Sequence, residues 1–253
     1  MHLPPTVVVG PWPSMFAVSG PGSCTALHRH PNLHLLLQRA QHLEVTLGSN
    51  HQPVQAAGLL TPPHYPHGVA AQGQDCILLF IDPTCYSGRS LRAVLANTPR
   101  LISDAERDAW LADLPPTPSP TALAQWARAM LARLGAKQPP TKPLHPKVYK
   151  TLRLLDQLPL SPAPTLVELA KQARISPSRL MHIFTADTGT PLRTYLRWLR
   201  MTRACGALLQ GSTLSDAALT GGFSDAAHMS RTFKAMYGLS PSQLQSYSSF
   251  TTR

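Results

Sequence analysis

Cysteine is scarce in this chain. Cys24, Cys76, Cys85 and Cys205 are the four in 253 residues, and no two lie close together. That spacing argues against a zinc knuckle or a disulfide framework and suits reduced thiols in a cytoplasm. No run approaches the roughly 18 apolar residues of a membrane span. The opening Met1-His2-Leu3-Pro4-Pro5 lacks the basic start and apolar stretch of a secretion signal. Acidic residues are few as well, 12 against 23 Lys and Arg, which leaves a formal charge of +11. The expectation is a cytoplasmic chain, not bound to membrane, with a polyanionic partner.

The charge is unevenly placed. From residue 145 onward there are 13 Lys and Arg against 5 Asp and Glu, whereas residues 1–144 carry 10 and 7. The basic half also contains a repeat. Leu166, Leu169 and Ala170 lead to a turn at Ile175-Ser176-Pro177, followed by Leu180, Ile183, Phe184, Gly189 and Pro191. Leu214, Ala217 and Ala218 lead to a turn at Gly222-Phe223-Ser224, followed by Met229, Thr232, Phe233, Gly238 and Pro241. Each copy has the helical i, i+3, i+4 spacing, then a turn, then a second helical face. Two helix-turn-helix units on a basic segment predict two heads for double-stranded DNA.

Ser176 as N-cap with Pro177 in the first turn starts the second helix of the first unit, and Ser224 is expected to cap its counterpart. With Leu180, Ile183 and Phe184 inward, Ser178, Met181, His182 and Thr185 face outward. With Met229, Thr232 and Phe233 inward, Ala227, Ser230, Arg231 and Lys234 do so. Arg231 has the chemistry to bridge guanine O6 and N7, or else to hold a phosphate. Arg193, Arg197, Arg200 and Arg203 form a stripe on the helix expected between the units. That stripe can contact phosphate, remain solvated, or pair with Asp187 and Asp216.

The block Gly222-Phe223-Ser224, His228 to Lys234 and Gly238-Leu239-Ser240-Pro241 resembles the signature of the AraC/XylS family of bacterial transcriptional regulators. Ser176 to Leu180, Phe184, Thr188-Gly189, Tyr195-Leu196-Arg197, Leu199-Arg200 and Arg203-Ala204 resemble its first unit and connecting helix. The resemblance spans about residues 147–247. It implies a seven-helix DNA-binding domain that recruits or blocks RNA polymerase at promoters, on a homodimer. It places base-reading positions at Ser178, Met181 and His182, and at Ala226, Ala227 and Arg231, with Arg179 and Arg197 in the same interface. Those residues are smaller or less polar than is common in the family, Gly206 interrupts the connecting helix, and Gln245 stands where a basic residue often follows.

Residues 1–100 carry most of the histidines and short β-prone runs at Val7–Val9, Leu33–Leu37, Leu43–Leu47 and Ile77–Ile81, with turn residues between them, as in a small antiparallel barrel or sandwich. Ser103 with Glu106 forms a capping box for a helix through Trp110 and Leu111. Pro115 to Pro120 breaks it, and a second helix after Thr121 presents Leu123, Trp126, Ala127, Met130, Leu131 and Leu134 before Gly135. The Trp126, Met130 and Leu134 stripe fits a dimer seam and fits packing on the barrel equally well. Lys137 to Pro146, with four prolines, reads as a semi-rigid linker.

His28-x-His30, His34 and the distant His67 resemble the two motifs of a cupin barrel, with His34 in the carboxylate place. Neutral imidazoles suit zinc, copper, nickel or iron, and equally they line an effector pocket without metal. The predicted architecture is α+β. A cupin-like sensor barrel (1–100) precedes a helical dimerisation or packing segment (101–136), a linker (137–146) and an all-α double helix-turn-helix domain (147–253). The expected function is a DNA-binding transcriptional regulator answering a small-molecule effector, without resident cofactor. A metal-dependent cupin enzyme with a DNA-binding tail is the alternative. A DNA-repair regulator of the alkyl-acceptor type would need clustered zinc-bound cysteines, which the spacing does not supply.

Overall fold

The computed structural model describes residues 6–10, 15–48, 52–135, 143–160, 163–237 and 240–241, apart from the side chains of residues 6–10, 209 and 237. The described residues of the N-terminal part include ten strands: β1 (Thr6–Gly10), β2 (Met15–Pro21), β3 (Thr25–His28), β4 (Leu33–Gln38), β5 (Leu43–Leu47), β6 (Pro53–Ala56), β7 (Gly58–Thr61), β8 (His67–Ala70), β9 (Asp75–Ile81) and β10 (Arg100–Ile102). They form two antiparallel sheets, ordered β1-β2-β9-β4-β7-β10 and β3-β8-β5-β6. The expected closed barrel is therefore two sheets. The strand β10 brings residues beyond position 100 into the larger one.

Side-chain alternation explains how the larger sheet is buried on both faces. Leu33, Leu35 and Leu37 of β4 join Ile77, Leu79 and Ile81 of β9 in one core, while Leu36 and Cys76 lie in another with Val45 and Val69 of the smaller sheet. A period of two with apolar residues at both phases produces the near-continuous runs seen in the sequence.

Helix α1 (Tyr86–Leu95) interrupts the strands and was not anticipated. Helices α2 (Asp104–Leu111) and α3 (Pro120–Gly135) follow, and α2 starts at the Ser103/Glu106 capping box. The stripe of α3 packs on the sheet. Trp126, Met130 and Leu134 share a core with the leucines of β4, and the Trp126 indole N–H donates to the Trp110 carbonyl at 2.8 Å. That stripe is consequently not free to form a dimer seam. Of the expected linker, residues 137–142 lie outside the described residues, and Pro146 opens the next helix.

The C-terminal unit contains α4 (Pro146–Gln157), α5 (Leu166–Ala173), α6 (Pro177–Thr188), α7 (Leu192–Leu209), α8 (Leu214–Thr220) and α9 (Ala226–Tyr237). Six helices of the expected seven are thus described. Gly238, Leu239 and Gln245 lie outside the described residues. Helix α7 runs through Gly206 without a break, so the glycine does not interrupt it. Among the described residues no helix is long and apolar enough to cross a membrane. All four cysteines are free, and burial pushes the Cys76 and Cys85 thiols up to about 12.

Candidate nucleic-acid interface and histidine cluster

The two helix-turn-helix units are α5–α6 and α8–α9. Ser176 caps α6, its hydroxyl accepting the Arg179 N–H at 3.2 Å, with Pro177 in the first turn. The second unit differs from expectation at its cap. Asp225, not Ser224, accepts the His228 N–H at 2.7 Å, while the Ser224 hydroxyl donates to the other oxygen of Asp225. A carboxylate at the positive end of a helix is favoured over a hydroxyl, and the His228 N–H bond holds Asp225 below the usual carboxylate range.

Leu180, Ile183 and Phe184 of α6 are buried, while Ser178, Arg179, Met181, His182 and Thr185 are all exposed. On α9, Met229 and Phe233 are buried, Ala227, Arg231 and Lys234 are exposed, and Ala226 and Ser230 are half-buried. Thr232, expected inward, is half-exposed and lines a groove against the β unit. The arginine stripe of α7 divides by role. Arg193 and Arg197 are exposed, whereas Arg200 is half-buried. Arg203 donates to the carbonyls of Leu155, Asp156 and Leu158 at 2.5, 3.1 and 2.6 Å, closing the C-terminal end of α4. Arg203 is accordingly a structural cap and leaves the candidate DNA face. Asp187 accepts instead from the His145 backbone N–H, and Asp216 from the Thr213 hydroxyl.

The halves meet through buried polar contacts that sequence spacing did not reveal. The Tyr195 hydroxyl donates to Asp82 at 3.3 Å, and the other oxygen of Asp82 takes the Thr84 N–H and hydroxyl at 2.7 and 2.6 Å. Burial, with the Asp82 carboxylate beside it, holds the Tyr195 phenol well above its ordinary value. The Arg92 guanidinium donates to the Thr188 carbonyl. Beside these contacts lies a groove of about 440 Å³, lined by Arg29, His30, His64, Arg197, His228 and Arg231 among others. A smaller, mainly apolar cavity of about 80 Å³ has Phe16, Val18, Leu36, Leu78, Phe80 and Phe233 in its wall. The consecutive residues His28 and Arg29 border the cavity and the groove respectively.

The four histidines singled out from spacing come together. His28 and His67 are partners across β3 and β8, and His34 lies on β4. Ring centroids of His28 and His67 are 4.5 Å apart, and those of His34 and His67 5.2 Å. Burial holds His30 and His34 well below the ordinary histidine value and lowers His67 to about 4. All three are therefore neutral near pH 7.

Residues 169–247 match a family model described as a helix-turn-helix domain. Over nearly the whole chain the fold is similar to that of ToxT from Vibrio cholerae, with a TM-score of 0.56 and 9% identity over 96% of this chain and 98% of that one. Wild-type ToxT from the same organism with unsaturated fatty acid bound gives 0.55 and 10% over 96% and 94%. The C-terminal domain of AraT, a response regulator from Geobacillus stearothermophilus, is 24% identical over 42% of this chain and 88% of that one, with a TM-score of 0.39. The two ToxT likenesses concern the fold, and the motif residues 176–241 supply what the fold alone does not. The C-terminal part of this chain is an AraC-type helix-turn-helix domain, a DNA-binding domain of transcriptional regulators.

Proposed function

We propose that the chain is a sequence-specific transcriptional regulator that engages promoter DNA through α6 and α9 and answers an effector held against its β unit. The observation that carries this reading is the exposure of the same face on both second helices. Ser178, Arg179, Met181, His182 and Thr185 form one reading surface, and Ala226, Ala227, Ser230, Arg231 and Lys234 the other. Arg231 and His182 supply the hydrogen-bonding contacts to bases, Met181 and Ala227 apolar ones such as to a thymine methyl, and Arg197 a phosphate contact. The reading includes a homodimer on paired half-sites, contact with RNA polymerase, a cytoplasmic setting and no catalysis.

The cavity and groove support an amphiphilic effector with a slender apolar body and an anionic head. The phenylalanine-lined cavity suits the first, and Arg29, Arg197 and Arg231 suit the second. Arg231 borders both the groove and the exposed face of α9, so an effector head in the groove competes with DNA for the same guanidinium. The fatty acid bound by ToxT belongs to this chemical class.

Titration of the full chain against a duplex from its own promoter and a scrambled duplex tests the proposal. The promoter duplex is expected to bind tighter, with affinity falling steeply as salt rises because each neutralised phosphate releases a counterion. An unsaturated long-chain fatty acid is expected to change that affinity. No retention of either duplex at low ionic strength refutes the DNA reading, and an affinity indifferent to fatty acid refutes the effector class.

A further inference from the structure

The histidine cluster has a hydrogen-bonding problem that a cation resolves. The Nδ1 atoms of His28, His30 and His67 lie 2.9, 3.2 and 2.9 Å from the carbonyl oxygens of Ala26, Asn32 and Tyr65. A carbonyl only accepts, so each Nδ1 must carry the proton and each Nε2 a lone pair. One ligand nitrogen from each of these three residues falls within 4.8 Å of the others.

His34 sharpens the conflict. Its Nδ1 is 3.3 Å from His30 Nε2 and 3.2 Å from His67 Nε2, yet it holds at most one proton to share between two lone pairs. Its Nε2 is buried without a partner.

The His34 Nδ1 spacings of 3.3 and 3.2 Å match those within a coordination shell, and the other three ligand nitrogens lie within 4.8 Å of one another. Nitrogens roughly 2.0–2.1 Å from one tetrahedral ion lie about 3.3–3.4 Å apart. We propose that His28, His30 and His67 hold one divalent transition-metal ion of the zinc class, with the His34 ring beside it. Backbone carbonyls on three Nδ1 atoms fix the tautomer and ring orientation, as the outer partners of metal-bound histidines ordinarily do. An all-imidazole set favours zinc, nickel, copper or cobalt over calcium or magnesium, which demand oxygen. Three protein ligands leave a fourth position, beside which the His34 ring lies. The ion would also fix the β3–β4 turn, which presents Arg29 and His30 to the groove beside α9. The site does not depend on the DNA reading, and either can fail alone.

The test uses the full chain without a histidine tag, stripped by chelator and titrated with Co²⁺ and then Zn²⁺. One ion per chain is expected, with the visible absorption of tetrahedral cobalt and its displacement by zinc. Zinc is also expected to raise the melting temperature, since it binds only the folded state. His28→Gln, at a half-exposed position, and His67→Gln are expected to weaken binding at least tenfold, while His42→Gln at the surface leaves it unchanged. Absence of the cobalt spectrum in the wild-type chain overturns the proposal, whatever the folding of the variants. Binding undiminished in His28→Gln and His67→Gln, or lost in His42→Gln, overturns it equally.

Discussion

Two glycine substitutions separate conformational strain from steric exclusion in the second reading head. Gly222 sits in the turn between α8 and α9 at φ +72°, and Gly211 in the turn before α8 at φ +87°. Alanine at either position must adopt left-handed backbone, which costs about 1–2 kcal/mol. Their surroundings differ. A Cβ on Gly211 meets nothing within 4 Å, whereas one on Gly222 overlaps the Leu160 carbonyl oxygen and lies 2.8 Å from its carbon. Backbone cannot swing aside as a side chain can, and forced repacking adds about 1–3 kcal/mol. Gly211→Ala should therefore cost about 1–2 kcal/mol and Gly222→Ala about 2–5 kcal/mol. Urea unfolding, followed through the transition of the C-terminal unit, reads the difference as a lower midpoint for Gly222→Ala at similar slope. Its folded fraction should also lose DNA affinity, because the turn aims α9, while Gly211→Ala keeps it. Equal midpoints for the two variants would refute the steric argument, and unchanged DNA binding by Gly222→Ala would refute the link between turn and reading head.

Further outcomes follow from the same geometry. Arg203→Ala should destabilise by about 1.5–3 kcal/mol by stripping three carbonyls of a charged donor, and Arg203→Lys should recover only part, since an ammonium cannot span all three; urea unfolding measures both. Tyr195→Phe should cost about 1–3 kcal/mol, because the buried Asp82 loses a hydrogen-bond donor; an unchanged unfolding midpoint would dismiss that contact. Arg231→Ala should weaken promoter binding by about 1–3 kcal/mol and relax preference at one base pair. An equal loss on scrambled DNA would reassign Arg231 to phosphate.

The helical half was legible because its determinants are local. Apolar spacing at Leu166/Leu169/Ala170 and Leu180/Ile183/Phe184, the Ser176-Pro177 cap and the Ser103/Glu106 box each act within a turn or two of helix, and the structure bears out all of them. The Thr165/Glu168 capping box follows the same rule and was there to be read. Helix α1 was not legible. Its N-cap is Cys85, whose sulfur accepts the Gly88 N–H at 3.2 Å, and no acidic residue marks its first turn. Ser224 was expected to cap α9, but its neighbour Asp225 takes that place by accepting the His228 N–H. In the β unit, residues buried on both faces of β4 erase the alternation that would have marked its orientation. Sheet order depends on pairings between strands far apart in sequence, which no local pattern encodes.

The functional residues divide along the same line. His28 at the end of β3, His30 in the turn after it and His34 on β4 announce themselves by their closeness in sequence, but His67 joins them only because β3 and β8 pair with His28 opposite His67. A one-residue slip would turn His67 to the other face of the sheet and scatter the cluster, so register and not composition creates the site. The groove is harder still to foresee. Arg29, His64, Arg197 and Arg231 come from four separate elements or turns, and only the docking of the C-terminal unit on the β unit gathers them. Arg231 is exposed on α9 and lines the groove, so on the proposed reading two demands meet there, the DNA and the groove's occupant. A guanidinium with five donors can serve either, but its single position on α9 cannot serve both at full strength. On the proposed reading, whatever fills the groove acts on DNA affinity through Arg231, which the sequence offered for either a base or a phosphate.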